Sequence, residues 1–307
     1  MSQTYIPTLK ITPALDKILL ALYQYHLLTT DLVVPAVGSL GSATTVKENI
    51  QKLEAKNYLF RFKLATTGGR SPTVCVLAEQ GMKYLRDERE LDISFYKHPS
   101  EWKQMSSGWL MHPLELNKFI IAVDRLCRSH EQVEQIAWEH DFLLKSDPFR
   151  PTSQTGEKFG IIPDAMIQLQ VKRGPKVEPK RRVLWVELER DTHKETAFTR
   201  KLTGIYWTVE NGLLKQRYNH PIPRISFVST VGQEHVEWMR EQCRKMLIEI
   251  RGRVNHDSIR NRMFHFAAIP PLQGPHIDPL TVLTQPYWTH PFDEPGEQGK
   301  LYSLLEL

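Results

Sequence analysis

The sequence predicts an α+β protein built from two folded parts, and three observations lead to this class. First, 307 residues with 41% hydrophobic content are enough to build two cores. Second, residues 10–95 contain three short amphipathic segments followed by two strand-like runs. Third, residues 112–252 alternate helical and strand patterns, which is typical of a mixed sheet flanked by helices. We expect a linker at 96–111 and an irregular extension at 253–307.

Helical spacing of apolar residues predicts the three helices of the first part. The first covers 13–26, with Thr12 as the predicted N-cap and a proline in the first turn. The second follows the cap-like cluster at 29–31 and ends near Gly38. The third covers 42–55 and has a polar, partly basic outer face.

Two strand-like runs, 58–63 and 73–77, surround a turn-forming segment that contains the sequence Gly-Gly-Arg at 68–70. They predict a β-hairpin with a basic tip, and a further helix begins near 78–81. Three helices followed by such a hairpin resemble the winged helix-turn-helix family. The alternative is a winged helix that serves only protein contacts.

The winged-helix resemblance implies that 42–55 is a recognition helix lying in the major groove of double-stranded DNA. The hairpin tip would reach a phosphate or the minor groove. The residues expected to contact DNA are Thr44, Thr45, Lys47, Asn49, Lys52 and Arg70.

The second part shows a regular succession of elements. We predict helices at 112–129, 194–210 and 234–251, and strands at 133–144, 159–169, 183–189 and 224–230. A basic loop separates the second strand from the third, so these two strands are expected to form a hairpin. This order resembles the core of the PD-(D/E)xK nuclease superfamily, a restriction-endonuclease-like mixed sheet flanked by helices.

The residues that carry chemistry are concentrated on this predicted hairpin. Glu187 and Glu189 alternate with apolar residues, so both carboxylates face one side of the strand. Asp164 on the neighbouring strand could supply a third oxygen ligand, which suits Mg²⁺ or Mn²⁺. Such an ion would polarise a phosphodiester and activate water. The four predicted catalytic residues, the first three of them also metal ligands, are Asp164, Glu187, Glu189 and Lys201.

In the superfamily, lysine commonly stands two positions after the acidic residue, where this chain has Glu189. Some members place the lysine on the next helix instead, and Lys201 matches that arrangement as the cation that stabilises charge on the phosphate. Glu115 and Glu139 are weaker candidates for a further ligand. The structural alternative is that the two strand glutamates form a charge network with Arg190, Lys201 or the basic loop.

A closer resemblance covers most of residues 10–250. The winged helix and a set of later motifs are similar to the replication-relaxation family of bacterial plasmids and mobile elements. Those motifs are His112-x-x-x-x-Asn117, Trp138-Glu139, Pro163-Asp164, Glu187-x-Glu189-Arg190-x-Thr192, Lys201 and Tyr206. The family pattern would read Glu-x-Asp-x-Gly-Thr, from which Glu189 and Asp191 depart. The resemblance implies a role in maintaining plasmid or mobile-element DNA.

Charge, cysteine content and the absence of certain motifs limit the classes of function that the sequence suggests. Lys and Arg number 40 against 35 Asp and Glu, with a pI near 9.0, which permits a polyanionic partner. The three cysteines show no disulfide or zinc spacing, so a reducing cytoplasm is expected. We find no export signal, membrane span or Walker or dinucleotide-binding loop. A zinc site from the scattered histidines is not indicated.

Two functions are therefore open from the sequence. In the first, a DNA-binding protein also hydrolyses phosphodiesters with Mg²⁺. In the second, a non-catalytic regulator or replication accessory protein retains a degenerate nuclease fold. Contacts with other replication or mobile-element proteins, and a homodimer, are left open.

Overall fold

A computed structural model describes residues 9–38, 41–65, 71–172, 177–190, 195–220, 222–251, 262–293 and 301–305. Within these ranges the chain is mixed α+β and contains two sheets, of three and five strands. It divides into two compact units, Met1–Ile121 and Ala122–Leu307. The predicted mixed α+β class is confirmed at this level.

The first unit combines helices with the smaller sheet. Its elements are α1 (Pro13–Tyr25), β1 (Leu27–Thr29), α2 (Thr30–Val37), α3 (Ala43–Ala55), β2 (Leu59–Lys63), β3 (Thr73–Leu77), α4 (Glu79–Arg89), α5 (Pro99–Gln104) and the first part of α6 (Ser107–Ser129). Thr12 caps α1 as predicted, with its hydroxyl accepting from the Leu15 amide at 3.4 Å. Antiparallel pairing of β2 with β3 confirms the predicted pairing of these two strands.

The sheet order in the first unit is β1-β3-β2. β1 was not predicted, because its three residues are too few to show a period of two. Residues 96–111, which we expected to be a linker, contain α5 and the start of α6. Helix α6 therefore begins five residues before the predicted 112, and Pro113 lies inside it.

Asn117 on α6 connects parts of the first unit that are distant in sequence. Its side chain is fully buried, and its amide Nδ2 donates to the carbonyls of Tyr25 and Leu27, at 2.9 Å each. These carbonyls lie at the junction of α1 and β1, where the chain leaves a helix and a backbone acceptor needs a partner. Asn117 thus holds this junction against α6.

The second unit is built on the larger sheet. Its elements are β4 (Val133–His140), α7 (Asp141–Leu144), β5 (Ala165–Val171), β6 (Lys180–Glu189), α8 (Glu195–Glu210), α9 (Leu213–Tyr218), β7 (Arg224–Ser229), α10 (Gln233–Arg251), β8 (Phe264–Ala268) and a short π-helix (Leu280–Thr284). The order is β4-β5-β6-β7-β8. β5 is antiparallel to both of its neighbours, β4 and β6, and β7 and β8 continue parallel to β6.

Several predicted elements of the second unit need correction. The strand predicted at 133–144 ends at His140, and the helix α7 follows, because alternating hydrophobicity gives way to an apolar cluster. The strand predicted at 159–169 begins only at Ala165. The extension expected to be irregular contains β8, which completes the sheet beside β7. The sequence pattern did not reveal β8 because prolines and histidines dominate the surrounding segment.

The core of the second unit lies around β6 and β7. Helices α8 and α10 contribute buried Phe198, Leu202, Ile205, Val236 and Met239 to it, which explains their amphipathic patterns. Buried apolar residues on consecutive positions of β6 show that both faces of this strand are covered. Among the residues described, no helix is both long and apolar enough to cross a membrane.

Candidate carboxylate–lysine centre

The register of β5 and β6 brings two of the predicted acidic residues together. Ala165 pairs with Val186, so Asp164 lies next to Glu187 across the antiparallel hairpin. The Oδ2 atom of Asp164 accepts a hydrogen bond of 2.7 Å from the amide of Leu188. A backbone contact of this kind fixes the carboxylate at the end of the hairpin.

Trp185, Glu187 and Glu189 share one face of β6 because side chains alternate along a strand. All three are fully buried. The indole Nε1 of Trp185 donates to Oε1 of Glu187 at 2.6 Å, which orients that carboxylate. Sequence reasoning missed Trp185, although the alternation that selected the two glutamates also points to it.

Lys201 brings its ammonium group between the two glutamates. Its Nζ lies 2.5 Å from Oε2 of Glu187 and 2.8 Å from Oε1 of Glu189. It is carried by the second turn of α8, and Gly204 allows this helix to pack closely. A Cβ atom at Gly204 would stand 2.3 Å from Cδ1 of Ile161, in the segment that leads to Asp164. We call Asp164, Glu187, Glu189 and Lys201 the carboxylate–lysine centre.

Three carboxylates and one ammonium group make up the centre, and burial together with these charges shifts the pKa values of Glu187 and Lys201. Burial raises the pKa of Glu187 to about 7; Lys201 opposes the shift and repulsion from Asp164 adds to it. The pKa of Lys201 is raised as well: burial acts against its charge, but attraction to Glu187, Glu189 and Asp164 prevails. The ammonium therefore stays charged, while one carboxyl group can take up a proton near neutral pH.

This raised pKa gives a pH-dependent stability. Because Glu187 holds a proton in the folded protein up to a pKa of about 7, against an ordinary value of 4.5, unfolding releases that proton between these values. The free energy of unfolding should therefore fall as pH rises from about 4.5 to about 7. Above about pH 7, the titration of Glu187 should cause no further change in it. Urea denaturation at a series of pH values in EDTA measures it.

Glu187→Gln should flatten this pH dependence, because an amide does not titrate. Glu157→Gln is the control, since that side chain is 46% exposed and pairs with Arg200 at the surface. An unchanged slope in Glu187→Gln would show that another group is responsible.

The centre offers three carboxylates against one ammonium group. Oxygen donors with a net negative charge suit a hard divalent cation. The present arrangement places Lys201 among these donors. No three His, Cys, Asp or Glu side chains in the described ranges are grouped so as to hold a metal ion. Cation binding by Asp164, Glu187 and Glu189 thus requires Lys201 to withdraw from at least one carboxylate.

The weaker ligand candidates have other neighbours. Glu115 is buried in the first unit, where it is the charged neighbour of Lys118. Glu139 accepts a hydrogen bond from the hydroxyl of Tyr218 at 3.1 Å. The charge network that we considered as a structural alternative is present between Lys201 and the two strand glutamates. Asp191 and Thr192, quoted for the family pattern, lie outside the described residues.

The residues predicted to contact DNA are placed mostly on the exposed side of α3. Thr44, Thr45, Lys47 and Lys52 are exposed, whereas Asn49 is only 8% exposed and faces the core of the unit. Lys47 lies 3.8 Å from Asp31, and both side chains remain largely in solvent. Arg70 lies outside the described residues.

Comparison with known protein families shows to which family the chain belongs. The model of the replication-relaxation family matches residues 19–225, about two thirds of the chain. The chain belongs to the replication-relaxation family. Membership suggests involvement in replication or in mobile-element processes. No protein of curated function and no solved structure matches the chain significantly.

The part that matches the replication-relaxation model includes all four residues of the centre and helix α3, and it ends just inside β7. Two residues quoted for the resemblance prove to be buried in the structure. Asn117 ties α6 to the junction of α1 and β1, and Tyr206 belongs to the core of the second unit.

Proposed function

We propose that this replication-relaxation protein is a cytoplasmic DNA-binding protein of plasmid or mobile-element maintenance, and that its second unit hydrolyses phosphodiesters with Mg²⁺ or Mn²⁺. One observation carries the proposal: Asp164, Glu187 and Lys201, predicted from three separate segments, come into electrostatic contact beside Glu189. Such convergence is typical of a functional site.

The order of elements supports a nuclease-like second unit. Apart from the short helices α7 and α9, the order from α6 to β7 is a helix, three strands paired antiparallel in sequence, a helix and a strand parallel to the third. Asp164 lies just before β5, and Glu187 and Glu189 lie at the end of β6, so the acidic residues are at the open end of the hairpin. This is the arrangement expected of the PD-(D/E)xK core, with the lysine supplied by the next helix.

The chemistry follows from the residues of the centre. A divalent cation held by Asp164, Glu187 and Glu189 would supply Lewis acidity for the phosphodiester and its attacking water. Trp185 fixes the orientation of Glu187, and the backbone of Leu188 fixes that of Asp164. Lys201, once withdrawn from the glutamates, presents its positive charge to the phosphate.

Supercoiled plasmid tests this proposal directly. We expect nicking by the full chain with Mg²⁺ or Mn²⁺ and none in EDTA. A gel-shift assay in EDTA measures DNA binding separately, because binding through α3 does not involve the cation. Binding in EDTA without cleavage under either metal would reject the hydrolytic function.

Three helices and the antiparallel β2–β3 pair in the first unit support our proposal that this unit is a winged helix that binds DNA. A groove of about 440 Å³ beside β2 is also lined by the basic residues Arg61, Lys63 and Lys103. Exposed lysines and hydroxyl groups on α3 suit contacts with DNA phosphates. We place the recognition surface at Thr44, Thr45, Lys47 and Lys52.

Replacing Lys47 and Lys52 together by alanine should weaken binding to double-stranded DNA and lower its salt dependence. For each phosphate that the variant no longer neutralises, the slope of log affinity against log salt should become shallower by about 0.9. Fluorescence anisotropy over a range of salt concentrations measures the slope. Lys17→Ala, an exposed lysine of α1, is the matched control, and an equally large effect in this control would show general charge attraction rather than a recognition surface.

A second function is favoured by the position of Lys201. Its ammonium already bridges both strand glutamates and neutralises them in part, as a retired nuclease centre would be expected to do. In that case the protein is a non-catalytic DNA-binding regulator or replication accessory protein. The plasmid and gel-shift assays separate the two functions, because only the enzyme responds to the metal with strand cleavage.

A further inference from the structure

A second cavity of the second unit opens where β6, β7 and β8 begin. Its volume is about 610 Å³. Val183 near the start of β6, Arg224 at the start of β7 and Met263 just before β8 line it. Because the three strands run parallel, these positions lie at the same end of the sheet. Glu187 lies about 13 Å further along β6, at 3.3 Å per residue. The cavity is therefore separate from the carboxylate–lysine centre.

Three arginines from three segments face this cavity, and its described lining contains no Asp or Glu. Arg182 precedes the buried part of β6, Arg224 begins β7, and Arg262 lies just before β8. The guanidinium of Arg224 donates to the carbonyl of Ser303 at 3.0 Å, which anchors it in the wall. Arginines collected in one concave place suit an anion, because each planar guanidinium can donate two parallel hydrogen bonds to a phosphate.

Histidines and one tyrosine complete the wall. The rings of His265 and His290 are 4.5 Å apart, and His290 stands 4.0 Å from the ring of Tyr302. Nδ1 of His290 is 2.8 Å from the carbonyl of Phe264, so it carries the proton and leaves Nε2 as an acceptor in the neutral ring.

Burial and nearby arginines keep the two histidines of this cavity neutral. Burial, His290 and Arg224 lower the pKa of His265 well below its ordinary value. Burial also lowers the pKa of His290; the hydrogen bond to Phe264 and the carboxylate of Asp293 oppose this shift, and repulsion from Arg224 and Arg262 adds to it. A neutral histidine pair beside three guanidinium groups leaves the positive charge of the cavity on the arginines.

We propose that this cavity binds the phosphate of a nucleotide, with Arg182, Arg224 and Arg262 as the phosphate ligands and Tyr302 against the nucleoside. The volume lies within the range of about 300 to 1,000 Å³ that is usual for small-ligand sites. Leu301 and Met263 give the remaining wall an apolar character, which suits a base or a sugar. The same phosphate chemistry is offered by a free 5′-mononucleotide and by the 5′-phosphate end of a DNA strand.

This site does not depend on the proposed hydrolysis. Arg262, His265, His290 and Tyr302 lie beyond the part of the chain that matches the family model, and none belongs to the carboxylate–lysine centre. Binding can therefore be measured in EDTA, where the proposed hydrolysis does not occur. Failure of nucleotide binding would therefore not argue against the proposed hydrolysis, and failure of hydrolysis would not argue against nucleotide binding.

Isothermal titration of the full chain in EDTA tests the proposal, with inorganic phosphate, a 5′-deoxynucleoside monophosphate, and a short single-stranded oligonucleotide with either a 5′-phosphate or a 5′-hydroxyl. We expect saturable binding of the nucleotide or the phosphorylated oligonucleotide, and binding at least about tenfold weaker without the 5′-phosphate. Tighter binding of the mononucleotide identifies a free nucleotide as the ligand, and tighter binding of the oligonucleotide identifies a strand end.

Arg262→Gln should weaken this binding about tenfold, because it removes a charge-assisted contact from an exposed residue that the fold does not need buried. Arg244→Gln is the matched control, an arginine of α10 that is 46% exposed and pairs with Glu241. Circular dichroism checks that both variants are folded. The proposal is overturned if no probe saturates at millimolar concentration, or if Arg262→Gln and Arg224→Gln bind as the wild type does.

Discussion

Lys201→Met should lower the free energy of unfolding by about 3 kcal/mol, because it leaves two fully buried glutamates without the cation that they share. The lysine side chain is 29% exposed, which places the expected effect at the lower end of the range for buried ion pairs. A buried carboxylate that has been deprived of its cation keeps the full cost of its desolvation. Urea denaturation at pH 8, above the pKa of about 7 of Glu187 in the wild-type protein, measures the change.

Arg200→Met is the control for Lys201→Met. Arg200 is its neighbour on α8, is 60% exposed, and pairs with Glu157 at the surface, where ion pairs contribute at most about 1 kcal/mol. Adding Glu189→Gln to Lys201→Met should recover part of the stability, because one buried charge is then removed. Equal stability of Lys201→Met and Arg200→Met would mean that the lysine does not neutralise the glutamates in solution.

Glu187→Gln should reduce metal-dependent plasmid nicking about a thousandfold if the centre is catalytic, since it removes a ligand oxygen charge and part of the transition-state stabilisation. The substitution keeps the size of the side chain and its contact with Trp185. Asp164→Asn should have a similar effect, because it removes the charge at the end of the hairpin. Rates of nicking with Mg²⁺ and with Mn²⁺ provide the measurement.

Glu157→Gln is again the surface control and should cleave as the wild type does. DNA binding in EDTA should be unchanged in Glu187→Gln and in Asp164→Asn, which separates loss of chemistry from loss of folding. Residual nicking at the wild-type rate in both would exclude the centre as its source and would point to a contaminating nuclease.

The sequence predicted elements correctly where a hydrophobic pattern was long or where two patterns coincided. The thirteen-residue helices α1 and α3 were predicted within one residue at each end, since several turns of apolar spacing fix a helix well. The alternation that placed Glu187 and Glu189 on one face of β6 also holds in the structure. Lys201 was found through its position on the helix that follows.

Features were not predicted where tertiary contacts, and not the local sequence pattern, determine conformation or burial. β8 owes its strand conformation to pairing with β7, and its own five residues carry little signal. Asn49 lies on a helix that we predicted to be polar on that side, yet neighbouring elements cover it. The arginines of the second cavity come from separate segments, so only the parallel order of β6, β7 and β8 brings them together.

The contact of Asn117 with Tyr25 and Leu27 determines which fragments of the chain can be studied alone. A DNA-binding fragment that stopped at residue 95 would lack the amide that satisfies two carbonyls at the junction of α1 and β1. The hydrophobic stripe of α6 would be missing as well, although Leu110, Leu114 and Phe119 are fully buried there. A fragment for crystallisation or for nuclear magnetic resonance should therefore run through Ile121, where the first compact unit ends.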